Sequence, residues 1–196
     1  MAYSTEQITA VILAGGQSTR ANGKNKGLLL LHQKPLIEHI LNIIKNQVQH
    51  IIINSNSDLA SYQQYNYPVI EDDDRQFLGP LAGLKSCAPY INTPIIITLP
   101  CDSPFIPADL VNRMLIELNK DESKLQVVNN GRQQNLFMMF HQNLLTSIDE
   151  YLKSGKRSVC GWITLHNPNQ VYFSDQPDSF ININTLEELN KAEKES

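Results

Sequence analysis

Four short, almost wholly apolar runs alternate with helical patterns in the first half of the chain, and this alternation restricts the fold more than any other feature. The runs are Ala10–Ala14, His50–Asn54, Tyr67–Ile70 and Pro94–Leu99. Between them, Leu36–Gln47 carries Leu36, Ile37, Ile40, Leu41, Ile43 and Ile44 at helical spacing behind Pro35, which suits the first turn of a helix. Gly79–Tyr90 and Pro107–Asn119 are further helical patterns. Strands apolar on both faces belong to a parallel sheet covered by helices on both sides. In such sheets ligands bind beyond the carboxyl ends of the strands. The polar residues fall at those ends: Gly15–Gly16 after the first run, Asn54 closing the second, Glu71–Asp72 after the third and Cys101–Asp102 after the fourth.

The second half is less regular. Gly27–His32 reads as a short extended segment, Leu125–Val128 and Leu136–His141 as strands, and Leu144–Lys153 and Val159–Leu165 as helices. Val171–Phe173 is expected to return to the sheet. Thr185 and Glu188 have the spacing of a capping box ahead of a final helix. With no repeat, linker or low-complexity segment, residues 1–196 are expected to form a single α/β domain of three layers, Rossmann-like, with a mostly parallel sheet.

A net charge of −4 argues against a nucleic-acid partner or an acidic membrane surface, both of which want a basic protein. Cys87, Cys101 and Cys160 are odd in number and lack any C-x-x-C, so neither a disulfide framework nor a zinc site is expected. The polar stretch Met1–Thr9 does not resemble a signal peptide, and no apolar run approaches a membrane span. A cytoplasmic protein is expected.

Against this acidic background, residues 13–27 concentrate glycines and cations: Leu13, Ala14, Gly15, Gly16, then Ser18, Thr19, Arg20, Gly23, Lys24 and Lys26. A strand that delivers a glycine turn and then cations suits a polyphosphate, whose oxygens accept from backbone N–H groups and are neutralised by Arg and Lys. The spacing is neither G-x-x-x-x-G-K-[ST] nor G-x-G-x-x-G, so the loop points to a nucleotide-binding class outside both. Beside such a loop, Asp102 at a strand end is a candidate Mg²⁺ ligand, because magnesium is held by one or two protein oxygens together with water and phosphates. Asn182 and Asn184 offer a second oxygen, although a pre-helix turn also favours asparagine. The acidic run Glu71–Asp74 has the composition of a solvated loop, but Asp72, its member at the strand end, is a candidate to accept from the N1–H and amino group of guanine, a donor pair that adenine lacks. Asn54 is either a turn residue or a base or ribose contact. Gly79 and Pro80 are expected to line a nucleoside pocket where backbone must come close to the ligand. No histidine pairs with a nucleophile, Ser18 and Ser103 lack a base, and Cys101 reads as a small buried residue.

Taken in order, these residues resemble the molybdenum cofactor guanylyltransferases of the MobA type. The resemblance runs nearly end to end: Leu13-Ala14-Gly15-Gly16 through Arg20 and Lys26-Gly27, Lys34-Pro35-Leu36, Ile53-Asn54, Ile70-Glu71-Asp72, Gly79-Pro80-Leu81-Ala82-Gly83, Pro100-Cys101-Asp102 and Asn182-Ile183-Asn184-Thr185. It implies a nucleotide-diphospho-sugar transferase-like fold and Mg²⁺-dependent transfer of GMP from GTP to molybdenum-bound molybdopterin. Carried over residue by residue, the backbone of Leu13–Gly15 with Asn54 and Asp72 would serve the guanosine. Arg20 and Lys26 would hold phosphates, Asp102 the magnesium, and Asn182 and Asn184 the pterin and metal side. A monomer in transient contact with cofactor-insertion proteins or client molybdoenzymes is implied. The chain departs from the family at Ala21-Asn22, where Met-Gly is common, at Asn25, where Asp is common, and at Asn135, where proline is common. Two alternatives stay open: a transferase using CTP or another NTP, and a non-catalytic protein that binds and delivers the cofactor.

Overall fold

In the computed structural model, which describes residues 2–15, 25–73 and 79–195, a seven-stranded sheet lies between two layers of helices. The chain enters through β1 (Ile8–Leu13), then makes a 3-10 turn at Lys26–Leu28 and a two-stranded hairpin, β2 (Leu30–Leu31) and β3 (Lys34–Pro35). It continues through α1 (Leu36–Ile44), β4 (His50–Asn54), α2 (Leu59–Gln63), β5 (Val69–Ile70), α3 (Pro80–Cys87), β6 (Ile95–Pro100) and α4 (Leu110–Leu118). The second half contributes β7 (Gln126–Asn129), β8 (Gln133–His141), α5 (Leu145–Lys153), α6 (Val159–Leu165), β9 (Asn169–Tyr172) and α7 (Leu186–Glu195). The sheet order is β5-β4-β1-β6-β8-β7-β9, with β8 antiparallel to both of its neighbours and every other pairing parallel.

Alternate residues of the central strands feed two separate cores, as the pleat requires. Ile8, Ala10 and Ile12 of β1, with Ile51, Ile53, Ile95 and Ile97, pack under α1 and α4. Val11 and Leu13, with Ile52 and Ile96, pack under α3, α5 and α6. A third cluster joins Leu29, Leu31 and Leu36 of the hairpin region to Ile183 and Leu189, docking α7. Burying each such Leu or Ile stabilises the fold by about 1.5–3 kcal/mol, so the two large cores hold both helical layers to one sheet.

Several expectations change. Gly27–His32 is not one extended segment but a 3-10 turn followed by the outer strand of a hairpin. Pro35 pairs with Leu30 and caps α1 from extended backbone instead of entering its first turn. The helix behind it stops at Ile44, and α4 starts at Leu110, three residues later than expected. The strand expected at Leu136–His141 starts at Gln133, and the last strand is Asn169–Tyr172, parallel to β7. Thr185 and Glu188 do form a reciprocal cap: Glu188 N–H donates to Thr185 Oγ1 (3.1 Å) and Thr185 N–H to Glu188 Oε2 (3.0 Å). Among the described residues no helix is long and apolar enough to cross a membrane.

Candidate active site

The strand order reverses direction at β1, with β4 and β5 to one side and β6 to the other, which opens a crevice at the carboxyl ends of β1 and β6. Register lines those ends up: Leu13 is level with Asn54 on one side and Pro100 on the other, and Asn54 is level with Ile70. The cavity above them is lined by Leu13 at the end of β1 with Ala14 and Gly15 beyond it, Asn54, Asp72, Gly79 and Pro80, then Cys101 and Asp102, with Asn25, Lys26, Leu136 and Asn182 closing it. Gly79 has φ +89°, a backbone region that side chains rarely adopt, so the approach to α3 needs glycine there. Gly16 and Arg20, like Ser18, Thr19, Gly23 and Lys24, lie outside the described residues.

At one end of the cavity a carboxylate is held by amides. Asp72 Oδ1 accepts from Asn54 Nδ2 and Oδ2 from Asn56 Nδ2, both at 2.8 Å. Asn54 also donates to Ile70 O (3.1 Å) and is buried between two glycines. A Cβ on Gly83 would lie 2.1 Å from Asn54 Oδ1, and one on Gly15 would lie 2.8 Å away. Asn54 therefore fills space that only glycine leaves on either side.

At the other end, Lys26 Nζ donates to Asn184 Oδ1 (2.5 Å) and stands 3.6 Å from Asp102 Oδ2. The second oxygen, Asp102 Oδ1, is buried and has no hydrogen-bond partner among the described residues. Burial pushes the Asp102 carboxyl above the usual range even though Lys26 pulls the other way. The C-terminal segment is tied to this strand end, because Ile183 N–H donates to Asp102 O (2.7 Å) and Ser103 Oγ to Asn182 Oδ1 (2.6 Å). Of the two asparagines expected at the pterin side, Asn182 has its amide oxygen engaged by Ser103 and lines the cavity, and Asn184 has its amide oxygen engaged by Lys26. Among the described residues no cluster of three or more His, Cys, Asp or Glu could hold a metal. A buried carboxylate oxygen without a partner among the described residues nevertheless fits Mg²⁺, which leaves most of its coordination to water and phosphate. Burial raises the Cys101 thiol to about 12, which keeps it protonated, as a small buried residue should be.

Three residues contribute in ways the sequence did not indicate. Asn56 joins Gly15 O (3.2 Å) to Asp72; the polar run Asn54-Ser55-Asn56-Ser57 after an apolar strand was the available signal. Asn25 is buried, accepting from Tyr62 OH (2.7 Å) and Gly27 N–H (3.2 Å) while donating to Ser57 Oγ (3.2 Å) and Ala14 O (3.4 Å). Ser103 holds Asn182 and has no nucleophilic geometry.

Comparison with known proteins identifies the lineage of this geometry. The profile of the family described as "MobA-like NTP transferase domain" matches residues 10–168. The chain belongs to this family. A molybdenum cofactor guanylyltransferase of Shewanella sediminis is 41% identical over 183 residues, covering 93% of each chain, and one of Shewanella sp. strain MR-4 is 37% identical over 190 residues, covering 96% of each. The fold matches the crystal structure of molybdopterin-guanine dinucleotide biosynthesis protein A from Archaeoglobus fulgidus with a TM-score of 0.75 at 21% identity, over 95% of this chain and 97% of the other. It also matches 4-diphosphocytidyl-2C-methyl-D-erythritol synthase from Anaerococcus prevotii with a TM-score of 0.74 at 14% identity, over 97% and 96%. This MobA-like NTP transferase is therefore a nucleotidyltransferase with a nucleotide-diphospho-sugar transferase-like fold.

Proposed function

We propose that the protein transfers GMP from GTP to the terminal phosphate of molybdenum-bound molybdopterin, forming the guanine dinucleotide cofactor and releasing pyrophosphate. The observation that carries this is the division of one crevice between two carboxylates: Asp72 anchored by amides at one end, and Asp102 beside Lys26 at the other, with a buried oxygen unpartnered among the described residues. The names of the Shewanella relatives supply the acceptor and the base. Asp72 supports guanine independently, since cytosine and adenine each present only one amino donor on the edge that would face it.

Leu13, Ala14, Gly15 and Gly16 would seat the nucleoside, with Asn54, Gly79 and Pro80 forming the walls. An acceptor phosphate oxygen forms a bond to the α-phosphorus of GTP while the bond from that phosphorus to the oxygen bridging to the β-phosphate breaks. The attacking oxygen is already anionic, so no general base is required. Lys26 and Arg20 would offset the charge of the phosphates, and Asn182 and Asn184 would face the acceptor. Asp102 would hold Mg²⁺, which when bound neutralises phosphate oxygens. The proposal includes a cytoplasmic monomer that meets insertion proteins or client molybdoenzymes transiently.

Asp102→Asn keeps the shape and removes the charge. Pyrophosphate release from GTP in the presence of molybdenum-loaded molybdopterin should fall roughly 100-fold or more. The melting temperature should hold or rise, because burial disfavours the charged Asp102 carboxylate more than Lys26 favours it. Near-normal turnover would remove Asp102 from the reaction. A thermal-shift panel of GTP, CTP and ATP with Mg²⁺ tests the base, and stabilisation by CTP in preference to GTP would overturn the guanylyl assignment.

A further inference from the structure

We infer that Asn56 is a specificity-determining positioning residue: it touches no nucleotide itself and sets the base preference by fixing the Asp72 carboxylate. The inference rests on Asp72 as the base-reading acid proposed above. Every hydrogen-bonding group of the Asn56 side chain is used internally. Its two amide hydrogens go to Asp72 Oδ2 (2.8 Å) and Gly15 O (3.2 Å), and its Oδ1 accepts from the Asp72 backbone N–H (2.7 Å). One side chain thus grips both the carboxylate and the backbone of the same residue, and ties both to the glycine turn leaving β1.

The consequence for Asp72 follows from counting lone pairs. An ionised carboxylate offers about four acceptor directions, two on each oxygen. Among the described residues Asn54 takes one on Oδ1 and Asn56 one on Oδ2, which leaves one on each oxygen for a ligand. Two acceptors held side by side match the adjacent N1–H and amino donors of guanine. Asn54 alone would leave Oδ2 free to swing about the Asp72 side-chain torsions, and the paired geometry would then have to be assembled at the cost of binding free energy. A site built around paired donors discriminates against an analogue that lacks one, because an acceptor is then left unmatched.

The test compares equilibrium binding of GTP and ITP, which differ only in the 2-amino group, to the wild type, Asn56→Ala, Asp72→Ala and the double variant. Asn56→Ala should weaken GTP about tenfold and ITP by much less, lowering the GTP/ITP preference. Asp72→Ala should abolish the preference, and Asn56→Ala should add no more than about twofold in that background, as expected for two residues acting through one group. A structural role alone would weaken both nucleotides equally and would be additive with Asp72→Ala. If Asp72→Ala abolishes the preference and Asn56→Ala leaves it intact, the role of Asn56 is wrong and the base-reading role of Asp72 stands. If Asp72→Ala leaves the preference intact, the base-reading assignment fails first. Should Asn56→Ala lose the fold, Asn56→Ser keeps a small polar group at this half-buried position and is read by the same ratio.

Discussion

Gly83 shows how a residue with no polar side chain shapes a polar site. It lies in α3, where alanine would be favoured over glycine by about 1 kcal/mol. A Cβ there would meet Asn54 Oδ1 at 2.1 Å, and Asn54 is hemmed in by Gly15 on its other side. Gly83→Ala should therefore displace the Asn54 side chain and break its bond to Asp72, a charged hydrogen bond of about 1.5–3 kcal/mol. GTP affinity should fall roughly 10–100-fold while the melting temperature moves only a few degrees, measured by titration and thermal melt on the same sample. Unchanged affinity would show that Asn54 has room to retreat. Much of the site was legible at this scale because its residues stand at strand ends, where a polar residue interrupts an apolar run. The Asn54–Asn56–Asp72 network was not, since 16 positions and a helix separate Asn56 from Asp72 and only the parallel register of β4 and β5 closes the gap. Asn25 was visible only as a departure from the family; its burial against Tyr62 OH, Gly27 N–H and Ala14 O shows an amide using both its donor and acceptor ends.

Among the elements, α7 connects stability to the site most directly. Its capping box holds the Asn184 backbone, because Asn184 N–H donates to Glu188 Oε2 (2.7 Å), and the Asn184 side chain accepts from Lys26. Thr185→Ala should cost about 1 kcal/mol through loss of the cap, or about 2–4 °C in a chain of this size. Glu188→Ala should cost a similar amount and also reduce turnover several-fold, since it frees Asn184 from the side that fixes Lys26. Glu188→Gln keeps an acceptor at the same place and should restore both the melting temperature and the rate. Equal turnover in Thr185→Ala and Glu188→Ala would uncouple the cap from the site. The cap itself was readable from Thr185 and Glu188 at their spacing. The direction of β8 was not, because Phe137, Met138, Met139 and Phe140 are all buried and such a run fits a parallel or an antiparallel strand equally well. The short helix α2 also escaped the sequence pattern: it has five residues and starts after Asp58 in left-handed backbone, φ 53°, with too few turns to show a period.

For the whole molecule, the arrangement of cores leads to a prediction about cooperativity. The helices α1 and α4 cover one face of the sheet, and α3, α5 and α6 cover the other, yet both layers draw on alternate residues of the same strands β1, β4 and β6. Neither layer can lift away without exposing one full face of those strands, which removes the backing for the residues that point the other way. The expectation is that both layers open in one transition, as a single domain does. Native-state hydrogen exchange along a denaturant series measures this. Peptides from α1 and α4 should converge on the same opening free energy as peptides from α3 and α5, with the same denaturant dependence. Two distinct free energies would instead divide residues 1–196 into separately folding units. The helix α7 should behave differently, because among the described residues its Leu189 and the preceding Ile183 belong to the small cluster of Leu29, Leu31 and Leu36, with Phe105 packed against it, and to neither large core. Its amides should open at lower free energy than either large layer. Since α7 fixes Asn184, and Asn184 holds Lys26, a ligand that engages Lys26 and Asp102 should raise the α7 opening free energy before it affects the central strands. Adding GTP with Mg²⁺ at about 100 times the dissociation constant should stabilise states that retain the site by about 2.7 kcal/mol. Slower exchange in α7 with nucleotide is the expected sign that the C-terminal helix closes the phosphate end of the site, and α7 exchange that ignores the nucleotide would show that Lys26 is held without it.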